Sequence, residues 1–376
     1  MNVLIIGGGI IALTTARELI KRGIRNITIL EKDTVGSGAS CAAAGMLASD
    51  AESNGVGRFY ELCSASNKLF PSLAEDLFTE TGVDIELDLT GTLFVAFTDD
   101  DEAEVDERFE IQKRAGINVQ MLSAEDIRRI EPGISPTVRK GVLYGDNGQV
   151  ENRKLVAALR KYAEINGVVI REHTCAEELL ADGVNVTGAR SEKERFYADR
   201  VIIATGAWPH LIQTVRLICD IDVKPIRGQM IGFEPGRSSF RHVIYSPRGY
   251  IVPRADRHII SGSTMEDAGF RPEVTPDGIS SMRAAACEIA TILENTAMNE
   301  SWAGLRPFVS DGLPVIGKVP GHENAFAAFG HFRNGILLSP ITGHIMADLV
   351  TKGSTDIDIE PFGFGRSAFA AKNVSN

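Results

Sequence analysis

Two arginines in apolar, glycine-rich surroundings are the residues of this sequence best suited to bind a charged small molecule. Arg306 lies in WAGLRPFVSDGLPVIG, and Arg333 lies in GHFRNGILLSPITG. A guanidinium that is buried needs a carboxylate or phosphate partner. For a single arginine the commoner partner is an acid of the protein itself, and Asp311 is the candidate for Arg306. Two such arginines beside turn glycines favour a substrate carboxylate instead.

Tyr250, in the segment GYIVPR, is a third candidate for the same site. Its hydroxyl could donate a hydrogen bond beside an apolar ring, although taken alone the residue is better explained as sheet packing. No Ser/His/Asp constellation, paired carboxylate or reactive cysteine accompanies these groups, and the histidines lack HxxxH or HExxH spacing. We therefore expect no catalytic side chain and no metal site, and a bound cofactor should carry the chemistry.

The stretch VLIIGGGIIALTTARELIKRG, from Val3 to Gly23, predicts a cradle for a dinucleotide. An apolar run typical of a buried strand precedes three glycines, and a helical pattern follows them. Gly7 permits a tight turn, and Gly9 lets the backbone approach a pyrophosphate. The N-terminus of the following helix would present free N–H groups to the phosphates.

An acidic residue follows at the distance that this motif requires. A second buried strand, 26–30, leads to Glu31, which lies 22 residues beyond Gly9. A carboxylate there can accept hydrogen bonds from both hydroxyls of an adenosine ribose, and it would repel the 2′-phosphate of NADP. Glycine-rich turns also occur for geometric reasons alone, so strand, glycines, helix and acid carry the prediction only together. They leave open which dinucleotide binds.

Strands and helices must bring these residues together, and their patterns can be located along the chain. The Ala- and Gly-rich segment 35–47 would let the backbone approach a flat ligand. We expect helices around 69–82 and over 99–114, 151–166 and 277–293, and strands over 92–97, 168–170, 200–204, 249–254 and 258–263.

The order of these elements predicts an α/β fold with a discontinuous nucleotide domain. The buried-strand pattern of the N-terminus returns at 200–204, so the second domain is inserted rather than appended. We expect a Rossmann-like domain and a substrate domain of α+β type, built on a mainly antiparallel sheet. The Rossmann-like domain would comprise 1–85, 145–219 and 318–365, and the substrate domain 86–144 and 220–317.

Composition and charge exclude several functional classes. The chain has 376 residues and a formal net charge of -11, from 39 Lys+Arg against 50 Asp+Glu, so nucleic acid is an unexpected partner. The first strand begins at residue 2 or 3, and no uncharged run reaches membrane-spanning length, so we expect a cytoplasmic protein without a membrane span. Five scattered cysteines are expected to be reduced thiols: Cys41, Cys63, Cys175, Cys219 and Cys287.

Six segments together resemble the D-amino acid oxidase family of flavoenzymes, and most closely the glycine-oxidising branch that serves thiamine biosynthesis. The resemblance runs in order from Asn2 to about Leu349. It implies a Rossmann-like domain of the glutathione-reductase type, and it implies that the dinucleotide is FAD. The segments are GGGIIALTTA, ILEK, GASCAAAGML, VIIATGAW, WAGLRP with DGLPVIG, and GHFRNGILLSPITG.

The resemblance also implies roles for individual residues. Arg306 would bind the substrate carboxylate with the help of Tyr250, and Arg333 would occupy a second substrate-contacting position. The residues expected to bind FAD are Gly7, Gly9, Ile10, Ile11, Glu31, Lys32, Ala39, Ser40, Ala44, Gly45, Met46, Ala176, His331, Phe332, Arg333, Asn334, Gly335, Ile336 and Leu337.

Some positions depart from the pattern of the family. Ala12 replaces a common glycine, the pair Ala39-Ser40 replaces hydroxyl-bearing pairs, and Ala176 replaces valine. These contacts are made mostly by the backbone, so FAD binding should persist. No cysteine follows Cys287, so we expect noncovalent FAD.

The activity implied is oxidation of glycine, sarcosine or a small D-amino acid to an oxo acid, ammonia and hydrogen peroxide. The partners would then be a small amino acid and dioxygen. A D-amino acid dehydrogenase that reduces a quinone carrier is the main alternative. A sugar or hydroxy acid oxidase, a protein holding FAD as a structural or sensing ligand, and assembly into a homo-oligomer also remain open.

Overall fold

Two large β-sheets, each assembled from separate parts of the chain, face one long cavity. The computed structural model describes residues 1–52, 56–213, 221–234 and 240–366. The α/β architecture expected from the sequence is confirmed, with a Rossmann-like sheet and a mainly antiparallel second sheet.

The described residues form nine α-helices and nineteen strands, together with a few 3₁₀ turns. The helices are α1 Ile10–Lys21, α2 Ala39–Ala42, α3 Arg58–Asn67, α4 Phe70–Thr81, α5 Asp99–Arg114, α6 Ala124–Ile130, α7 Asn152–Ile165, α8 Pro276–Ile289 and α9 Ser339–Lys352. The strands are β1 Asn2–Ile6, β2 Asn26–Leu30, β3 Met46–Leu47, β4 Thr92–Ala96, β5 Val119–Ser123, β6 Lys140–Tyr144, β7 Gly148–Gln149, β8 Val169–Arg171, β9 Ala176–Asp182, β10 Asn185–Ser191, β11 Arg195–Tyr197, β12 Arg200–Ile203, β13 Val223–Phe233, β14 Val243–Ser246, β15 Gly249–Pro253, β16 Ile259–Gly262, β17 Met298–Val309, β18 Val315–Lys318 and β19 Ala325–Phe329.

The six-stranded sheet has the spatial order β18-β19-β12-β1-β2-β8 and is parallel except between β18 and β19. Side chains of β1 alternate between its two faces, and both faces are buried. Val3 and Ile5 pack in the core that contains α1, whereas Leu4 and Ile6 pack under the three-stranded sheet of β9, β10 and β11. Gly7 therefore lies at the centre of the carboxyl edge of the sheet.

The eight-stranded sheet has the order β17-β13-β16-β15-β14-β4-β6-β5 and is antiparallel except between β14 and β4. Its two faces have different partners because side chains alternate along each strand. Ile231 and Ile251 pack with the α8 residue Met282, whereas Met230 and Tyr250 form a smaller cluster with Ala44 of the nucleotide domain. The second face therefore forms a wall opposite the six-stranded sheet.

Helix boundaries agree closely with the sequence patterns. α5 spans 99–114 as expected, and α4 ends at Thr81 and is capped by Gly82, which has a left-handed φ of +71°. The helix expected over 277–293 ends earlier, at Ile289, and a separate 3₁₀ turn, Thr291–Asn295, follows it.

One domain boundary needs correction. The boundary expected between 317 and 318 falls inside β18. Because β18 pairs with β19, this strand belongs to the six-stranded sheet, and the nucleotide domain resumes before Val315. All eight strands of the larger sheet come from the segments 86–144 and 220–317.

Three further features concern only the residues that the structure describes. None of their helices combines the length and apolar character needed to cross a bilayer. No group of three or more His, Cys, Asp or Glu side chains is arranged to hold a metal ion. Four of the five cysteines are free, and Cys219 lies outside the described residues.

Candidate functional site

A cavity of about 1700 Å³, including its open mouth, runs between the two sheets. It extends from the glycine turn after β1 to the two arginines, as a site for a dinucleotide and its substrate would. We call its two ends the nucleotide half and the substrate half. The nucleotide half is lined by Gly7–Ile11, Glu31–Asp33, Thr174–Ala176 and Thr205–Trp208, and the substrate half by Glu52, Met230, Tyr250, Ser263, Arg306 and Arg333.

The glycine turn after β1 leaves no space for side chains. Gly7 has a φ of +105°, and a Cβ there would lie 2.3 Å from the carbonyl oxygen of Ala204. The first amide of α1 is not free as the sequence suggested, because Ile10 N–H donates to Ser40 Oγ over 3.0 Å. The turn itself still brings backbone without side chains to the cavity wall, which lets a pyrophosphate come close.

Glu31 lies at the end of β2 and reaches this turn. Its carboxylate accepts hydrogen bonds from the backbone N–H groups of Gly8 at 2.7 Å and Asp33 at 2.8 Å. These bonds orient the side chain, and two carboxylate oxygens retain lone pairs for further donors such as ribose hydroxyls. Beside it, the Lys32 ammonium lies 4.4 Å from the centre of the Trp208 ring, which lines the same end of the cavity.

The residues of this half fit an FAD molecule. The buried hydroxyl of Thr205, on the cavity wall, has no hydrogen-bond partner within the part of the chain that the structure describes. A buried hydroxyl without a partner is costly, so a polar ligand group is the natural partner. Further along the cavity, Gly45 has a φ of +71°, and a Cβ there would lie 2.0 Å from the carbonyl oxygen of Val150.

Arg254, at the end of β15, fixes the wall formed by 44–46. Its guanidinium donates to the carbonyl oxygens of Ala44 at 3.0 Å and Val150 at 2.9 Å, and to Gln149 Oε1 at 2.8 Å. Burial lowers the pKa of Arg254, so these acceptors must hold its charge in place. The sequence indicated only a strand position for this residue.

The opposite wall is the segment 331–336, which precedes α9. His331 is buried, its Nε2 lies 3.1 Å from Thr342 Oγ1, and burial lowers its pKa to about 3. The imidazole is therefore neutral at physiological pH. Phe332 has a φ of +46°, a strained conformation for a residue with a side chain, and its ring packs against Phe308 at 4.9 Å.

Arg306 extends from β17 across the neighbouring strand β13. A Cβ at Gly228 would lie 2.0 Å from Arg306 Nη1, so the guanidinium occupies the space that this glycine leaves. Its hydrogen bonds go to neutral acceptors, the carbonyl oxygen of Thr264 at 3.1 Å and Ser263 Oγ at 2.6 Å. Burial lowers the pKa of Arg306, and the nearby charge of Arg333 lowers it further.

The pairing of Arg306 with Asp311 that the sequence suggested is wrong. Asp311 Oδ2 lies 2.6 Å from Arg366 Nε, and the same carboxylate also contacts Arg366 Nη2. The turn that follows β17 carries Asp311 away from the cavity towards the last described residues. Arg306 is thereby left available to a ligand.

Tyr250 and Met230 form the floor beside Arg306. Tyr250 is buried, with 7% of the residue exposed, and its hydroxyl donates to Met230 Sδ over 3.4 Å. Sulfur is a weak acceptor, so the hydroxyl can turn to a stronger one. Both residues lie on the cavity face of the eight-stranded sheet.

Arg333 has a different environment from Arg306. Its Nη2 lies 2.9 Å from Glu52 Oε1, and the charge of Glu52 is the main reason that the pKa of Arg333 is raised. The alternative that an arginine pairs with an acid of the protein therefore holds for Arg333, with Glu52 as an acid that the sequence analysis did not single out.

The structure brings nearly all of the predicted site residues to one cavity. Arg306, Arg333, Tyr250 and the residues expected to bind FAD line it, with the exception of Leu337. Leu337 points into the core of the nucleotide domain, and its carbonyl accepts a hydrogen bond from Ser66 Oγ at 2.6 Å. Gly228, Glu52, Met230 and Arg254 are the contributors that sequence patterns did not reveal.

A Rossmann-like cradle that opens onto a sheet bearing an arginine with neutral hydrogen-bond acceptors defines a dinucleotide-binding protein with a second pocket for an anionic ligand. Comparison with known families makes the class specific. The chain belongs to the DAO family of FAD dependent oxidoreductases, whose model matches residues 2–349. FAD is therefore the cofactor that the cavity accommodates.

Known relatives cover almost the whole chain. The glycine oxidase of Geobacillus kaustophilus is 34% identical over 372 residues, which are 97% of each protein. Its crystal structure superposes with a TM-score of 0.92 and covers 97% of this chain and 98% of that one. The bifunctional protein ThiO/ThiG of Synechocystis is 35% identical over 93% of this chain, but the match spans only 51% of that longer protein.

Proposed function

We propose that the protein oxidises a small amino acid, in the first place glycine, and passes the electrons to dioxygen. The observation that carries this proposal is Arg306, a half-buried guanidinium in the substrate half whose hydrogen bonds go to the neutral acceptors Thr264 and Ser263. A carboxylate is the ligand that best matches its two-pronged geometry. The names of the relatives support glycine as the first amino acid to test.

The chain itself binds and orients the substrate. Arg306 binds the carboxylate, Tyr250 donates a second hydrogen bond to it, and Met230 limits the room for a side chain. Bound FAD would accept a hydride from the α-carbon and return the electrons to dioxygen as hydrogen peroxide. The imine product then hydrolyses to an oxo acid and ammonia.

No side chain needs to act as a base in this scheme. If the amine enters neutral, its lone pair assists departure of the hydride, and no proton has to be removed beforehand. His331, the histidine of this wall, is neutral and bonded to Thr342, so it adds no charge. Positive potential comes instead from the arginines.

The test is a substrate panel on the FAD-loaded protein. Glycine, sarcosine, D-alanine, glycolate and glucose are added without oxygen, and loss of the oxidised flavin absorbance is followed. We expect glycine to bleach the flavin and to give hydrogen peroxide in aerated buffer. Bleaching without peroxide, together with reduction of a soluble quinone, would instead indicate a dehydrogenase. Bleaching by none of these compounds would contradict the proposal.

A role in thiamine biosynthesis belongs to the same proposal, and its support is the ThiO part of the relative from Synechocystis. Thiamine-free growth of a bacterial strain that lacks its own glycine oxidase, after supply of this chain, tests the role directly. Cytoplasmic location and homo-oligomer formation stay predictions, for cell fractionation and for measurement of mass in solution.

A further inference from the structure

Three charged side chains line the substrate half, and their arrangement distinguishes the two arginines. Glu52 and Arg333 form an ion pair in which the carboxylate side chain is 17% exposed and the guanidinium side chain 30% exposed. Arg306 binds neutral oxygens of Ser263 and Thr264. Glu52 thus contacts Arg333 directly, whereas its charge acts on Arg306 only through space.

The net charge of the substrate half determines which anions it can bind. Two guanidinium groups and one carboxylate leave one net positive charge, which one ligand carboxylate would neutralise. A second ligand carboxylate could reach Arg333 only by displacing Glu52 or by lying beside it, and like charges in a partly buried site repel each other. His331 adds no charge here because burial keeps it neutral.

We propose that Glu52 determines substrate specificity: by neutralising Arg333, it restricts the site to ligands with one carboxylate and disfavours dicarboxylates. The inference rests on the proposed function in taking a carboxylate as the ligand of Arg306. Glu52 selects by the charge of the ligand and need not contact the reacting atoms. Its removal should therefore change which acids bind more than how the flavin reacts.

Unreactive acids separate this effect from catalysis. Acetate carries one carboxylate, malonate and succinate carry two at different spacings, and none has an amine to oxidise. Each is titrated into FAD-loaded wild-type protein and Glu52→Gln, and binding is followed by the change in flavin absorbance. We expect Glu52→Gln to bind at least one of the diacids about tenfold more tightly, with acetate affinity changed by less than about threefold.

Two further variants identify the cause of any gain. In Glu52→Gln/Arg333→Gln the gain for diacids should disappear, because the freed guanidinium is gone. Glu61→Gln removes the same charge from an exposed ion pair with Arg58 and should leave all affinities unchanged. An equal gain in Glu61→Gln would mean that net charge alone is responsible, and it would overturn the proposal.

Arg333→Gln and the double variant provide a second test if Glu52→Gln does not fold. Arg333→Gln leaves the Glu52 carboxylate without its partner, so the proposal expects weaker acetate binding, whereas Glu52→Gln/Arg333→Gln keeps one net positive charge and should bind acetate within about threefold of wild type. A double variant that binds acetate as weakly as Arg306→Gln would overturn the proposal, as would an unchanged preference for acetate over both diacids in Glu52→Gln. A wild-type protein that binds acetate but does not oxidise glycine would contradict the proposed function and leave this inference standing.

Discussion

The nucleotide half and the substrate half of the cavity are built in different ways. The nucleotide half is formed mainly by backbone, at turns that immediately follow strands of one sheet, and Gly7 and Glu31 are its markers. The substrate half is formed by side chains that distant segments contribute, such as Glu52, Tyr250 and Arg306. In the nucleotide half, close backbone contacts leave no room for other side chains. In the substrate half, the charges of the side chains decide which ligands can bind.

The difference predicts distinct consequences for mutation. In the nucleotide half, where backbone lies close to backbone, an added methyl group cannot be accommodated. A single glycine-to-alanine substitution should therefore abolish cofactor binding. Where a flexible side chain binds the ligand, a large change should leave the cofactor bound and weaken the substrate alone. Each variant below perturbs one half of the cavity, and the measurement shows whether the function of the other half is retained.

Gly7→Ala should have the largest effect. The added Cβ would lie 2.3 Å from the carbonyl of Ala204, at a φ of +105° that disfavours alanine. We expect FAD affinity to fall by about a thousandfold or more, since strain of several kcal/mol must be relieved by moving the turn. The measurement is flavin bound per protein at defined FAD concentrations.

Gly23→Ala is the matched control for this variant. Gly23 also has a left-handed φ, +86°, but no atom lies within 4 Å of its Cβ position. Gly23→Ala should lower the free energy of unfolding by about 1 kcal/mol and leave FAD affinity unchanged. Equal loss of FAD in both variants would show that strain alone, rather than closeness to Ala204, is responsible.

Arg306→Gln should have the next largest effect, confined to the substrate half. Loss of the guanidinium should raise KM for glycine by about a hundredfold, typical of a buried charged partner, while the protein keeps FAD. Steady-state kinetics and the flavin spectrum measure the two consequences separately. Arg153→Gln, which removes an exposed arginine on Trp302, should leave both unchanged. Unaltered glycine kinetics in Arg306→Gln would remove this residue from substrate binding.

Gly228→Ala should produce a smaller, purely positional effect. Its Cβ would meet Arg306 Nη1 at 2.0 Å, and the guanidinium can respond by moving. We expect KM to rise by about tenfold with kcat less affected, since the charge remains but its direction changes. Stability should hold, because alanine suits a strand interior better than glycine. Reduced flavin content would show that the displacement spreads beyond Arg306.

His331→Gln should give the smallest effect, which is a change in stability at acidic pH. Its folded pKa of about 3 lies below the unfolded value, so the unfolded chain binds a proton that the folded chain does not. Between about pH 6.5 and pH 3 this group should reduce stability by up to about 1.4 kcal/mol per pH unit of acidification. Urea unfolding at pH 7.5 and 5 should show that His331→Gln loses less stability on acidification than wild type. Equal losses would contradict the assignment.

Most of the nucleotide half could be predicted because its signals are local. The strand, the glycines, α1 and Glu31 follow one another within 31 residues, and the turn needs glycine for reasons of covalent geometry. Arg306 and Tyr250 could be singled out by residue type and neighbours, and the resemblance added their roles. Their meeting in one cavity required the sheet.

What sequence patterns missed depends on register between distant strands. Gly228 lies beneath Arg306 only because β13 pairs with β17, a pairing that places residues about 80 positions apart side by side. Arg333 could equally have met any acid, and nothing in the chain singles out Glu52. The candidate pairing of Asp311 with Arg306 is wrong for a related reason, because Asp311 pairs with the distant Arg366.

The central position of β1 has a consequence for biosynthesis. β1 pairs on both sides, with 26–30 and 200–203, and the cavity wall beside it is completed only by 331–336. During translation one edge of this apolar strand must therefore stay unpaired until 200–203 has been made. The complete cradle for FAD exists only after 331–336 has been made, so loading of the cofactor follows the early steps of folding rather than guiding them.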